Sequence, residues 1–488
     1  MGLGDVWRSI RGRPGDRPHN LLAISDLHLG CDRKAGCSPG AGRRWPQGAG
    51  SFDAQLTEFI DWHSAHREGG KPWRLLLNGD IIDFVAITLL PQEDAGFVVR
   101  PEERTFGLAA EEAKCVWKLR RVFERHPEVF GALGRFLGEG NSVHFIRGNH
   151  DAELRFPAVQ QELRAHLAAL ARAPGPDLGG RAAALVEFHS WFYLEAGFFY
   201  AEHGNAYDSY GVGTGFFDAA GDSAREMELP MTSKVLRYFV NGCSGAATDD
   251  ADSWGLFGYL AWVLRSGNPL RVGAAFFAMV LRVLSPVVRQ SLTSGPAWGP
   301  PGPDAPAGSR LRNLLGEFAG TEAQAQELLA ITSRPAEQSV FGTLQLFYLD
   351  RLALALLSLA FAWTAADLAQ GRWQKLAAVA LGAVLFAGLN LLLGAQRRVD
   401  AHPLLLDAAR RVAQVFGVRY VTMGHSHRAV SEPLGAGARY FNLGSWTCAR
   451  GGEGFPHVAV VGEVAELRRW KGPPGDATQA FAADLAAR

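Results

Sequence analysis

The stretch "YVTMGHSHRAV" at residues 420–430 decides how the chain is read. Its first half is a short apolar run bounded by polar residues and glycine, the pattern of a buried strand. Gly424 then allows a tight turn, and His425 and His427 follow one residue apart. A His-x-His pair alone is a weak signal and usually marks a solvated loop. It becomes chemistry only if other strands end in metal-ligating groups that meet it.

Four other strands do. "LLAIS" (21–25), "RLLLN" (74–78), "SVHFI" (142–146) and "GFFYA" (197–201) read as buried strands. The first runs into "SDLHLG" with Asp26 and His28, and the second into "NGDIIDF" with Asp80 and Asp83. The third runs into "RGNHDAE" with Asn149, His150 and Asp151, and the fourth into "EHGNAYD" with His203. Helical spacing of apolar residues over 52–66, 108–125 and 157–172 separates them, and residues 403–416 form a helix stopped by Gly417. "RYVTM", "RYFNL" and "HVAVV" follow as strands. Strand–helix alternation on both sides predicts an α/β layered domain whose two halves share one sheet system. Ligands of an open α/β sheet gather at the carboxyl ends of its strands, so the five loops are expected to converge.

In this order the motifs DxH, GDxxD, GNHD, H and GHxH resemble those of the calcineurin-like metallophosphoesterases. The resemblance covers roughly residues 20–205 and 402–465. It implies a four-layer α/β/β/α sandwich and a site for two divalent ions, Mn²⁺ first, with Fe or Zn²⁺ as alternatives. One ion would be held by Asp26, His28, Asp80 and His427, the other by Asp80, Asn149, His203 and His425, with Asp80 bridging. His150 is implied as proton donor to the leaving oxygen and Asp83 as the residue that orients it. Mixed carboxylate, imidazole and amide donors suit these metals better than Ca²⁺, which takes oxygen alone. "GDIIDF", "HGN" and "RYFNLGSW" (439–446) look most like the UDP-2,3-diacylglucosamine pyrophosphohydrolase branch, which acts on a nucleotide-linked lipid. Two positions depart from pattern. Phe84 stands where many phosphatases of the family carry a phosphate-clamping Arg, and His150 stands where the lipid branch usually has Arg. Arg33, Arg147 and Arg428 flank the motifs, either as phosphate ligands or as surface cations.

About 220 residues separate His203 from His425, far more than adjacent strands need. Within them, Leu376–Ala395 is a run of 20 residues without a charge, long enough at the helical rise to cross about 30 Å of hydrocarbon. Residues 352–366 add 15 uncharged residues before the short polar turn "DLAQGRWQK" with Trp373. These runs predict a transmembrane hairpin, with a pair of buried core helices as the competing explanation. Residues 254–292 hold shorter apolar runs punctuated by Arg265, Arg271, Arg282 and Arg289. They suit a helix in the headgroup region or an amphipathic pair packed on the domain. Residues 294–308 form a Pro/Gly linker.

Composition bounds the partners. Forty-nine basic residues balance 49 acidic ones, so no long-range field attracts nucleic acid. The cysteines (Cys31, Cys37, Cys115, Cys243, Cys448) are odd in number and lack a repeated zinc spacing, as free thiols in a reducing compartment would. No secretory h-region opens the chain, and Val6 stands where a myristoylation signal needs Ser or Thr. The expected organisation is an N-terminal tail (1–19), the first part of the catalytic domain (20–205) and a helical, interfacial insertion (206–345). A hairpin (346–396), the second part of the domain (402–470) and a C-terminal tail (471–488) complete it. The expected protein is a membrane-bound phosphoester or pyrophosphate hydrolase facing the cytoplasm, acting on a lipid or lipid-linked phosphate. The alternative is a membrane-tethered phosphatase or phosphodiesterase for soluble nucleotides or phosphoproteins.

Overall fold

The computed structural model describes residues 17–30, 52–171, 178–216, 226–242, 264, 268–294, 311, 315, 320–396, 400–447 and 454–473. Arg33, the linker from 295 on and every cysteine except Cys115 lie outside them; Cys115 is a buried free thiol. The chain folds as two compact units. Met1–Asp249, Gly299–Ser333 and His402–Arg488 form the first, and Asp250–Trp298 with Arg334–Ala401 forms the second.

The first unit is mixed α/β with two mixed sheets. Its strands are β1 (Asn20–Ile24), β2 (Trp73–Asn78), β3 (Ser142–Ile146), β4 (Val186–His189), β5 (Phe192–Glu195) and β6 (Phe199–Glu202), then β7 (Tyr420–Met423), β8 (Val430–Gly435), β9 (Ala438–Asn442), β10 (Phe455–Val461) and β11 (Val464–Trp470). One sheet has the order β11-β10-β1-β2-β3-β4, the other β5-β6-β7-β9-β8. β1 to β4 run parallel, as do β6, β7 and β9, while β5, β8 and the β10–β11 pair join them antiparallel. Each sheet therefore takes strands from both sequence halves. The segment between them is an insertion into one closed structure.

Strand alternation assigns the two faces of the first sheet. Leu22 and Ile24 of β1, with Leu75 and Leu77 of β2, join a cluster with Phe59, Leu119 and Phe136 of the flanking helices. Leu21, Ala23 and Leu76 point the other way, into a cluster with Phe199, Ala201 and Phe441 of the second sheet. A period of two thus sends successive side chains into two separate apolar layers. Fully burying one such Leu or Phe contributes about 1.5–3 kcal/mol. The helix Ala401–Phe416 buries Leu405, Ala409 and Val412 at helical spacing, and Phe416 contacts Phe192 and Tyr200 of the second sheet.

Part of the segment 206–345 belongs to this unit. Ser333 donates through its backbone N–H to Ala206 (2.8 Å) and through its hydroxyl to Tyr207 (2.6 Å). The Gln324 amide bonds the Val415 carbonyl at 3.0 Å, anchoring the helix Glu322–Ile331.

The second unit is helical. Leu349–Leu368 and Arg372–Gln396 form the hairpin, joined by three residues. Gly382 lies against Ala362 and the Ser358 carbonyl, where a Cβ would collide; small residues let such backbones approach closely. Arg351, at the hairpin's open end, donates to the Asn390 carbonyl at 2.6 Å and lies 3.3 Å from Asp350. Residues 272–281, expected as the second of two short apolar runs, lie within one continuous helix, Pro269–Ser294. Among the described residues three helices are long and apolar enough to cross a membrane: Pro269–Arg289, Leu349–Leu368 and Arg372–Leu393.

Candidate dinuclear metal centre

Five strand ends meet at one place. Asp26 and His28 follow β1, Asp80 and Asp83 follow β2, and Asn149 and His150 follow β3. His203 follows β6, and His425 and His427 follow β7. Ligand atoms of Asp26, His28 and His427 lie within 4.8 Å of one another, and so do those of Asp80, His203 and His425. His427 Nε2 is 3.1 Å from Asp26 Oδ1, and His203 Nε2 is 3.1 Å from Asp80 Oδ2. Asn149 joins the second group, its Oδ1 lying 3.1 Å from His203 Nε2. All seven expected ligands are thus brought together, spanning a separation of 399 positions between Asp26 and His425.

The backbone is unusual at these positions. Seven non-glycine residues among those described have positive φ, and five of them are Asp26 (54°), His28 (47°), Asp80 (53°), His425 (65°) and His427 (55°). Such residues cost about 1–3 kcal/mol each and persist only where surroundings over-determine them. The surroundings do so here with hydrogen bonds between loops. Asp26 N–H donates to Gly79 (3.1 Å) and His28 N–H to Asp80 (2.9 Å). Asn442 Nδ2 donates to the Gly424 carbonyl (2.6 Å), and Ser445 Oγ to the Asp26 carbonyl (2.9 Å). The "NLGSW" run therefore clamps the first and last loops together. Two glycines are required by space: a Cβ on Gly148 would overlap the Asp80 carboxylate, and one on Gly424 would overlap Ser25.

The donor set suits two cations. Asp26 and Asp80 are 0% and 1% exposed, an arrangement of buried carboxylates that demands positive partners. Burial works against the Asp80 charge, yet the imidazoles of His203 and His150 outweigh it and hold this carboxyl well below its usual range. Asp26 is likewise lowered despite burial, through His427 and His203. Burial opposes protonation of His203, but Asp80 and Asp26 prevail and raise it to about 9. His203 Nδ1 faces the Asn78 carbonyl at 3.1 Å, which fixes the proton there and leaves Nε2 to the centre. His28 Nε2 is a buried nitrogen with no hydrogen-bond partner. A carboxylate-rich pocket holding an unsatisfied imidazole nitrogen fits a divalent ion.

His150 lies beside the ligands. Its Nδ1 is 3.4 Å from Asp83 Oδ1, while Asp83 Oδ2 is 3.8 Å from His28 Nδ1. Asp83 thus stands between the two rings, which meet edge to face at 4.8 Å. The backbone N–H of His150 donates to Asp80 Oδ1 at 2.8 Å, tying it to the ligand loop.

Two carboxylates to which the sequence assigned no role complete the site. Asp208 Oδ2 lies 3.0 Å from His425 Nε2. Asp151 is 0% exposed and accepts from Gly148 N–H (2.6 Å) and Ile81 N–H (2.8 Å). Burial and the nearby Asp80 raise its carboxyl to about 6. It braces the loops of Asp80 and Asn149 from behind. Asp151 stands in the GNHD motif itself, and Asp208 lies five positions beyond His203.

The flanking arginines divide. Arg147 is buried, donates to the Phe216 carbonyl at 2.7 Å and stacks on that ring, so it is a structural cation. Arg428 is exposed. Phe84 is 0% exposed and packs in the core. Comparison with protein-family models, curated proteins and solved structures finds no match for this chain.

Proposed function

We propose that the chain is a membrane-anchored phosphoesterase of the calcineurin-like type, with a four-layer α/β/β/α sandwich carrying a two-metal centre. Its reaction is hydrolysis of a phosphoester or pyrophosphate bond, and a lipid-linked phosphate is the substrate class we favour. One observation carries this: seven metal-type ligands from five strand ends converge, and five of them hold left-handed backbone geometry to do so.

Asp26, His28 and His427 would hold one ion, His203, His425 and Asn149 the other, and Asp80 both. When bound, two such ions acidify a water for attack and neutralise phosphoryl charge. The protein's own groups do the rest. Asp83 faces the His150 ring and orients it; His150 delivers a proton to the leaving oxygen. Asn442 and Ser445 hold the ligand loops rigid, so little reorganisation accompanies the reaction.

The lipid assignment is supported by the membrane-type hairpin in the same chain and by the absence of an arginine clamp at Phe84. The test is turnover by the full chain with Mn²⁺ in mixed micelles, comparing a lipid-linked pyrophosphate with its soluble headgroup analogue. At least ten-fold higher kcat/KM for the lipid form is expected, abolished in Asp80→Ala. Equal turnover of both would replace this with a tethered phosphatase for soluble substrates. No metal-dependent turnover of either would end the enzymatic proposal.

A further inference from the structure

Among the described residues three helices have the length and apolarity of spans, yet the chain has room for an even number of crossings only. β6 and β7 are hydrogen-bonded neighbours, pairing Phe199 with Tyr420 and Ala201 with Thr422. They lie on one side of any bilayer, so the chain between them crosses an even number of times. The hairpin supplies two crossings. The uncharged run between Asp252 and Arg265 has 12 residues, short of the roughly 20 a span needs.

The helix that does not cross is identifiable by its charges. Arg372–Gln396 contains the 20 uncharged residues of 376–395, whereas the helix Pro269–Ser294 is cut by Arg271, Arg282 and Arg289 into uncharged stretches of 10 and 6. Arg282 falls near its middle. A charge at a helix centre strongly disfavours insertion, and no such charge burdens the interior of Arg372–Gln396.

The faces of Pro269–Ser294 show what it does instead. Val272, Met279, Val283 and Val287 are buried within the chain. Leu270, Phe277, Leu281 and Leu292 are 86%, 53%, 68% and 81% exposed. At 3.6 residues per turn these four fall within about 60° of one another, on the side away from the buried stripe. Arg271, Arg282 and Arg289 are all exposed and fall within about 20° of one another, about a quarter-turn from the apolar stripe. An apolar face flanked along one edge by cations is the arrangement of a helix lying in a bilayer surface, its arginines at headgroup level.

We infer that Pro269–Ser294 is an in-plane helix that docks on an anionic lipid surface, with Phe277 and Leu281 in the acyl boundary and the three arginines on lipid phosphates. Arginines near an anionic leaflet are attracted to its phosphates. The inference rests on the membrane part of the proposed function and is independent of its chemistry.

An environment-sensitive fluorescent amino acid replacing Phe277 or Leu281 in the full chain tests it, in nanodiscs carrying quenchers at shallow or deep acyl positions. Leu381, 49% exposed near the middle of Arg372–Leu393, is the control. Both labels at 277 and 281 are expected to be quenched more by the shallow probe. Adding phosphatidylglycerol to phosphatidylcholine should increase that quenching at least twofold, and the triple variant R271Q/R282Q/R289Q should abolish the increase. Deep quenching at 281 would make the helix a span and overturn the inference. Absence of quenching at 277 and 281, with Leu381 quenched, would mean that protein covers the face, and would overturn it too. Absence of quenching at Leu381 would remove the membrane anchor itself, and the inference with it.

Discussion

Asp151 gives the sharpest test of how the centre is built, because it touches no expected ion yet holds two ligand loops. Its two carboxylate oxygens accept from Gly148 N–H and Ile81 N–H, one residue before Asn149 and one after Asp80. In Asp151→Asn one oxygen becomes an NH₂ group. Whichever way the amide turns, one of the two buried N–H groups faces a donor. An unsatisfied buried donor costs about 1–3 kcal/mol. The fold can shed part of this cost by letting the loop relax, and relaxation moves Asp80 or Asn149 off position. A loss of about 2 kcal/mol from the metal-holding conformation corresponds to roughly thirty-fold weaker binding, within the range seen when groups behind metal ligands are removed. Calorimetric titration of the full chain with Mn²⁺ in detergent measures this directly, with circular dichroism to confirm retained structure. Unchanged affinity together with an unchanged thermal midpoint would refute the bracing role.

Other expectations follow from the same geometry. Glu103 is buried and accepts from Lys114 Nζ (2.7 Å), Ala109 N–H (2.8 Å) and Arg100 N–H (2.6 Å). Glu103→Gln should destabilise the first unit by about 3 kcal/mol, because it leaves Lys114 buried with only Glu111 as a charge partner; a midpoint lowered by several degrees in a thermal melt is the expected sign. His63 is 3% exposed, and burial lowers its imidazole to about 4. The unfolded chain, titrating near 6.5, then binds more protons between about pH 6.5 and 4. Stability is full above that window and falls by about 3 kcal/mol as pH drops through it. A thermal midpoint that stays flat between pH 7 and 5 would contradict this.

Central parallel strands were legible because both their faces are buried and their sequences are continuous apolar runs. β1, β2 and β3 match the expected segments to within a residue. β4, β5, β8 and β11 escaped. β4 ("VEFH") and β11 ("VAELRRW") mix charges with apolar residues, and β8 contains Pro433 and Gly435. All four are sheet edges, where one side meets solvent and the apolar signal weakens. The helix Pro127–Gly138 escaped as well, since only one residue, His126, parts it from the helix Glu112–Arg125.

The convergence of the seven residues was legible for a related reason: each stands just after a strand, so strand order carries it to the sheet's carboxyl edge. The roles of Asp151 and Asp208 were not, because they depend on which loop each meets across the fold. Arg147 shows the converse. Its position beside Asn149 suggests phosphate, but Phe216, 69 positions on, occupies the guanidinium. The apolar helical hairpin was legible because a run of 20 uncharged residues is a strong signal for a long helix. The helix at 269–294 was legible only as one of two alternatives, at headgroup level or packed on the domain, since its arginines break the run while its faces emerge only in three dimensions.

Metal stoichiometry tests the central claim most directly. The full chain, purified, loaded with Mn²⁺ and desalted, is expected to retain two ions per molecule, with the paramagnetic resonance signature of a coupled pair. Asp80→Ala should lose that coupling and at least one ion. One ion or none in the parent chain, or an intact coupled pair in the variant, would contradict a dinuclear centre organised by Asp80.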